Sequence, residues 1–184
     1  MLADARMVFL KEFLHHPQTI GSITPSSNYL VQRMLSHVPW NQVDTVVELG
    51  AGTGVFTQAI ANQLQSHQHA LIIEQDDTML NHLQCRFPDM YYGHHAEDLQ
   101  KLLEQYGMQK ADCIISSLPY AVFPVKLRLK ILHSIYRSLT PNGIFMAYQY
   151  SPQMYRTFRR IFSHIELSFE WRNLPPAIIY QCKK

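Results

Sequence analysis

Apolar residues recur along this chain with two different periods, and the switches between them mark its elements. Over residues 2–15, successive 100° steps bring Leu2, Met7, Phe9, Leu10, Phe13 and Leu14 onto one arc. Asp4, Lys11, Glu12 and His15 lie opposite, which predicts an amphipathic helix ended by Pro17. Arg6 falls inside the apolar arc, which is odd for a helix that only packs on a core. A loop then leads to a second helix over 25–37, with Thr24 as N-cap and Pro25 at its first position. Further on, short β-favouring runs alternate with helical periods. Strands are predicted at 45–49, 70–74, 90–93, 112–116 and 143–149, and helices at 54–64, 77–86, 97–105, 125–138 and 152–162. Two closing strands, near 164–171 and 177–182, flank Asn173-Leu-Pro-Pro176 and are expected to pair antiparallel at the sheet edge. Alternation of this kind predicts an α/β fold, with a mostly parallel seven-stranded sheet and helices on both faces. No repeat or second-domain boundary is visible, so the 184 residues read as a single domain. Residues 1–37 are expected to form an N-terminal helical segment that covers the site or contacts a membrane, and 38–184 the core.

Composition narrows the class. No apolar run approaches the 18 residues of a membrane span. The N-terminal apolar run contains Asp4 and Arg6 and lacks a small-residue cleavage site, so it does not read as a signal peptide. Cys85, Cys113 and Cys182 are odd in number and lack metal spacing, which fits buried thiols in a reducing cytoplasm. The adjacent pairs His15-His16 and His94-His95 cannot both face one ion, so no metal is expected. Charge is unevenly spread. Residues 121–160 hold Lys126, Arg128, Lys130, Arg137, Arg156, Arg159 and Arg160 and no acid, while the rest has nine bases and fourteen acids. That asymmetry points to an anionic partner surface, phospholipid or nucleic acid. Lys126, Lys130, His133 and Arg137 share one face of the predicted helix, which a plain solvated face would also explain.

The chemistry gathers where strands end. Val46-Val-Glu-Leu-Gly-Ala-Gly-Thr-Gly54 is a strand, a carboxylate, three glycines at alternate positions and a helix start. This arrangement brings a nucleotide against a helix N-terminus. The spacing is not that of the dinucleotide fingerprint, and Glu48 would repel a pyrophosphate. It suits a cationic group, such as the amino-acid end or sulfonium of S-adenosylmethionine. Glu48, Gly50, Ala51, Gly52 and Gly54 are therefore candidate cofactor contacts. Glu74, 20 residues after Gly54, ends the second strand and is placed to accept ribose hydroxyls, with Gln75 beside it. Its alternative role is a helix cap. His95, Ala96 and Glu97 follow the third strand and are candidates to bracket an adenine. Ser116, Ser117, Pro119 and Tyr120 end the fourth, facing the reactive methyl. An aromatic face at Tyr120 would stabilise moving positive charge by roughly 0.5–2 kcal/mol. A packing role would use the same ring differently.

These motifs resemble class I S-adenosylmethionine-dependent methyltransferases, with a Rossmann-like core. More closely, three segments resemble the small soluble bacterial phospholipid N-methyltransferases that act on phosphatidylethanolamine. They are Phe9-Leu-Lys-Glu-Phe-Leu14 running through Pro17 to Ile20-Gly-Ser-Ile-Thr-Pro-Ser-Ser27, then Ile115-Ser-Ser-Leu-Pro119, then Trp171-Arg-Asn-Leu-Pro-Pro-Ala177. The resemblance implies that 20–27 gates the cofactor through Ile20, Ser22 and Thr24, and that the first helix rests on a bilayer. It also implies an acceptor pocket lined by Ser117 to Pro119. Ribosomal-RNA adenine dimethyltransferases are similar in the cofactor half, and Tyr120 is closer to their motif. They usually carry a helical C-terminal domain, for which no residues remain here. His95 stands where many relatives have an Asp that contacts adenine.

The expected function is transfer of a methyl group to the headgroup amine of a phospholipid, by an enzyme at the cytoplasmic surface of the inner membrane. Arg6, Phe9, Phe13, Tyr29, Lys126, Lys130 and Asn173 are the candidate substrate and membrane contacts. The amine must lose a proton, and Tyr120, Tyr29, His95, Tyr150 or water would accept it. RNA adenine methylation, small-amine methylation and an inactive cofactor-binding relative are the alternatives.

Overall fold

The computed structural model describes residues 26–184. The predicted helix over 2–15, with Arg6, Phe9 and Phe13, and the gate residues Ile20, Ser22 and Thr24 lie outside the described residues. Helix α1 runs from Asn28 to Leu35. It starts later than the expected 25, at the point where the Ser27 hydroxyl caps it by accepting from Leu30 N at 3.2 Å; Thr24, the expected cap, lies outside the described residues. Then follow β1 (Thr45–Leu49), α2 (Val55–Ala61), β2 (His69–Ile73), α3 (Asp77–Arg86), β3 (Tyr91–Gly93), α4 (Leu99–Gln105) and β4 (Ala111–Ser116). The chain ends with α5 (Val125–Ser138), β5 (Leu139–Gln149), α6 (Tyr155–Arg159), β6 (His164–Glu170) and β7 (Ala177–Lys183). The single helix expected over 152–162 is a 3-10 turn, Pro152–Met154, followed by α6. Strand β5 pairs from Leu139, before the expected 143. The extra residues are taken up by an irregularity at which Asn142 adopts φ 68°.

The sheet order is β3-β2-β1-β4-β5-β7-β6. Strands β1 to β5 pair in parallel, and β7 is antiparallel to both neighbours. The two closing strands pair antiparallel at the sheet edge, as expected. The second of them slots between β5 and β6, leaving β6 outermost. Burial on both faces makes the central strands continuously apolar, and β1 has every residue buried. Alternation then splits the core in two. Val46, Ile72, Ile115 and Met146 pack under α1, α2 and α3. Val47, Ile114, Phe145 and Tyr180 pack under α4, α5 and α6. Helix α1, assigned from sequence to a covering segment, buries Leu30, Val31, Met34 and Leu35 and belongs to the core. At roughly 1.5–3 kcal/mol per buried side chain, those four anchor it firmly. Helix α5 matches its expected bounds, with Lys126, Lys130, His133 and Arg137 exposed opposite buried Ile131, Leu132 and Ile135. Among the described residues, no helix is long and apolar enough to cross a membrane.

Candidate active site

The carboxyl ends of β1, β2, β3 and β4 meet at one edge, where the chain leaves the sheet and backbone groups lose their ladder partners. After β1 the turn is drawn onto β2, with Gly50 N donating to Ile73 O at 2.8 Å. Gly54 sits at φ 83°, and a Cβ there would lie 2.6 Å from Leu83 Cδ2 of α3. The left-handed φ is what favours glycine here, and Leu83 packs into the space a side chain would take. Gly52 differs. At φ 55° it has nothing among the described residues within 4 Å of where a Cβ would stand, so none of them fills the space over the middle of the turn.

Two carboxyl groups border that turn. Glu74 Oε2 accepts from Gly52 N at 2.7 Å, and Oε1 accepts from Asp76 N at 3.0 Å. Capping of α3 falls to Asp76, whose side chain accepts from Met79 N at 2.9 Å. Glu74 is thus the acid of the turn, and an ionised carboxylate with two bonds retains further acceptor positions for hydroxyls. Glu48 lies on the α2 side of β1, fully enclosed. Thr57 Oγ1 donates to its Oε2 at 2.7 Å, while Oε1 has no partner among the described residues. Burial pushes its carboxyl up to about 8 despite the Thr57 bond, and the Glu74 charge adds to the rise. A neutral buried acid with an idle oxygen is a site a cationic group would satisfy.

The β4 loop packs directly on the glycine turn. Ser117 N donates to Leu49 O at 2.9 Å, and a Cβ on Gly50 would lie 2.9 Å from Leu118 Cδ2. From the other side, the buried Gln149 amide donates to Leu118 O at 2.9 Å and Tyr148 O at 2.6 Å. Ser117 and Pro119 stay half-buried at the rim. Pattern reading missed Thr57 and Gln149. Thr57 was detectable as a polar residue on the buried face of α2, and Gln149 as a polar end to an apolar strand.

Two expectations need correction. Tyr120 does not face the opening. It is fully buried, edge-to-face with Phe123, Phe145 and Phe158 at 5.8–6.2 Å, and its hydroxyl bonds Ser116 Oγ at 2.8 Å. The next residue after a rim proline points inward because the core beneath α5 and α6 takes its ring. Asn173 is likewise buried and cannot meet lipid. Its Oδ1 accepts from Ser27 N at 3.0 Å and its Nδ2 donates to Pro175 O at 2.8 Å, which ties the β6–β7 loop to α1. Burial also pushes the phenols of Tyr120 and Tyr150 well above their ordinary value, so neither is a base near neutral pH. His95, Gln75 and Tyr29 are exposed, Glu97 is half-buried and Ala96 is buried. The Arg172 guanidinium lies 4.2 Å above the Tyr29 ring and chelates buried Glu170 at 2.9 and 3.1 Å.

Comparison with known proteins agrees with this geometry. Residues 46–143 match the profile of the methyltransferase domain family. The chain is 35% identical over 182 residues to the ornithine lipid N-methyltransferase of Singulisphaera acidiphila, covering 96% of this chain and 94% of that one. In fold it is similar to a Burkholderia thailandensis 1,6-didemethyltoxoflavin-N1-methyltransferase, with a TM-score of 0.72 at 12% identity over 98% of this chain and 87% of that one. It also resembles PigF with SAH, with a TM-score of 0.63 at 16% identity over 85% of this chain. There it spans about half of the other protein, 55%. The glycine turn between two acids, the sheet order and these likenesses agree: the chain belongs to the class I S-adenosylmethionine-dependent methyltransferases.

Proposed function

We propose that this methyltransferase N-methylates the amine of a membrane aminolipid, ornithine lipid or phosphatidylethanolamine, at the cytoplasmic surface of a membrane. The observation that carries this reading is the near full-length match to an ornithine lipid N-methyltransferase. The chain's own residues suit the cofactor. Glu48 would answer the cationic amino-acid end, Glu74 the ribose hydroxyls, and Gly52 would admit the ligand against backbone. When bound, the cofactor supplies an electrophilic methyl on a sulfonium.

What the protein then contributes is alignment. The Ser117–Pro119 loop is pinned to β1 by Ser117 N and to β5 by Gln149, so an amine resting on it meets the glycine turn at a fixed distance. Holding two reactants in line supplies up to about 7–11 kcal/mol. The amine reaches the site protonated. With Tyr120 and Tyr150 held as phenols, its proton passes to water or to exposed His95.

The test is incubation of the purified chain with methyl-labelled cofactor and, separately, ornithine lipid, phosphatidylethanolamine, total RNA and small amines. Label is expected in an aminolipid. Label in RNA or small amines alone would overturn the lipid reading.

A further inference from the structure

The outermost strand carries an apolar surface that the methyl-transfer site does not use. Alternate residues of β6 share a side, so Ile165, Leu167 and Phe169 project together. Ile165 packs on the core under α6, but Leu167 and Phe169 are 50% and 52% exposed. Just past the strand, in the β6–β7 loop at the carboxyl edge, Trp171 and Leu174 are 71% and 68% exposed, and the Arg172 guanidinium lies 6.0 Å from the Trp171 ring. From Leu167 to Trp171 the exposed apolar residues span about 13 Å at 3.3 Å per residue. Contiguous apolar exposure of this kind marks a contact surface.

Charge says what it contacts. On the same side of the sheet, α6 points Arg156 and Arg159, with adjoining Arg160, away from buried Phe158, and all three are exposed. Positions i, i+3 and i+4 make one face. No acid occurs in residues 121–160. Of the acids in β6, Glu166 projects to the opposite side and Glu170 is buried against Arg172. An apolar surface with a tryptophan beside it, flanked by bases alone, matches a headgroup boundary, where rings enter the acyl margin and bases meet phosphates.

We propose that Leu167, Phe169, Trp171 and Leu174, with Arg156, Arg159 and Arg160, seat the protein on an anionic phospholipid bilayer. The surface deepens the aminolipid reading, since it brings the rim of the site to the headgroups, but it is tested without methyl transfer. The full chain, free of cofactor, is floated with phosphatidylcholine vesicles with and without phosphatidylglycerol, neither of which offers an amine to methylate. Binding is expected to the anionic vesicles and to weaken with salt. Phe169→Ser/Trp171→Ala should cut the bound fraction about fivefold or more. Arg156→Glu/Arg159→Glu/Arg160→Glu should remove the salt-sensitive part, and both variants should keep the parent melting temperature because all five side chains are exposed. Of the chain's two tryptophans, Trp40 can be replaced by Phe. Trp171 emission should then shift to the blue on vesicles and be quenched by brominated acyl chains. A double variant that floats like the parent, or an unshifted Trp171, overturns the proposal. So does concentration-dependent self-association that the double variant abolishes, which would make this a surface for a second copy. A parent that binds vesicles but methylates no lipid would leave this surface standing and refute the acceptor instead.

Discussion

Glu48→Gln is the substitution with the largest predicted consequence. In the free protein the Glu48 carboxyl is raised from 4.5 to about 8, chiefly by burial. An acid whose folded value is raised is protonated in the folded state over a range where the unfolded chain has released the proton. The folded state then binds more protons, so stability is full below about 4.5 and is lost as pH rises through about 8. At about 1.36 kcal/mol per unit, the loss is at most about 5 kcal/mol. Glutamine stays neutral throughout and its oxygen can still accept from Thr57. Its amide lacks a partner, which costs about 1–3 kcal/mol, but equally at every pH. The slope of stability against pH is therefore the readout, rather than its level. Melting temperature followed from pH 5 to 9 should fall more steeply in the parent than in the variant, by roughly 10 °C over the range. A cation beside Glu48 favours the ionised form. Calorimetry near pH 7 in buffers of different ionisation enthalpy should then show proton release on cofactor binding by the parent and none by the variant. Parallel melting slopes for the two proteins would refute the assignment of a buried neutral acid.

The other predictions concern the turn, the core and the rim. Gly52→Ala should weaken S-adenosylhomocysteine binding in calorimetry, because its methyl enters the space over the turn and its φ of 55° strains any side chain by roughly 1–2 kcal/mol. Tyr120→Phe should cost about 0.5–1.5 kcal/mol in denaturant unfolding through loss of the Ser116 bond, with turnover per folded molecule unchanged. Tyr120→Ala should cost roughly 3–5 kcal/mol. The Arg172 bonds hold the Glu170 carboxyl down to about 2. That pair therefore stabilises above about 4.5 and its contribution is lost as pH falls through about 2. Arg172→Met should flatten acid unfolding monitored by circular dichroism in that window.

What the sequence determined by itself is whatever depends on residues close in the chain. Hydrophobic period placed α3 and α5 at their observed bounds and all seven strands within a few residues. The alternate glycines and Glu74 were legible as one turn because a strand, turn and helix in immediate succession impose their own geometry, and Glu74 does accept from Gly52 N there. Tertiary structure alone decided what depends on partners far along the chain. Tyr120 follows a rim proline and is a plausible site residue by spacing. Its burial is set by Phe145 and Phe158, which belong to later elements. Asn173 sits in a loop that reads as exposed, yet Ser27, 146 positions away, takes its carbonyl. The insertion of β7 between β5 and β6 leaves Leu167 and Phe169 on an uncovered edge, which alternation cannot foretell. Glu48 was recognisable as an acid before a glycine turn. Only its enclosure beside α2, with Thr57 on one oxygen and no partner for the other among the described residues, raises its carboxyl. Desolvation is a property of the assembled core and has no signature in local spacing.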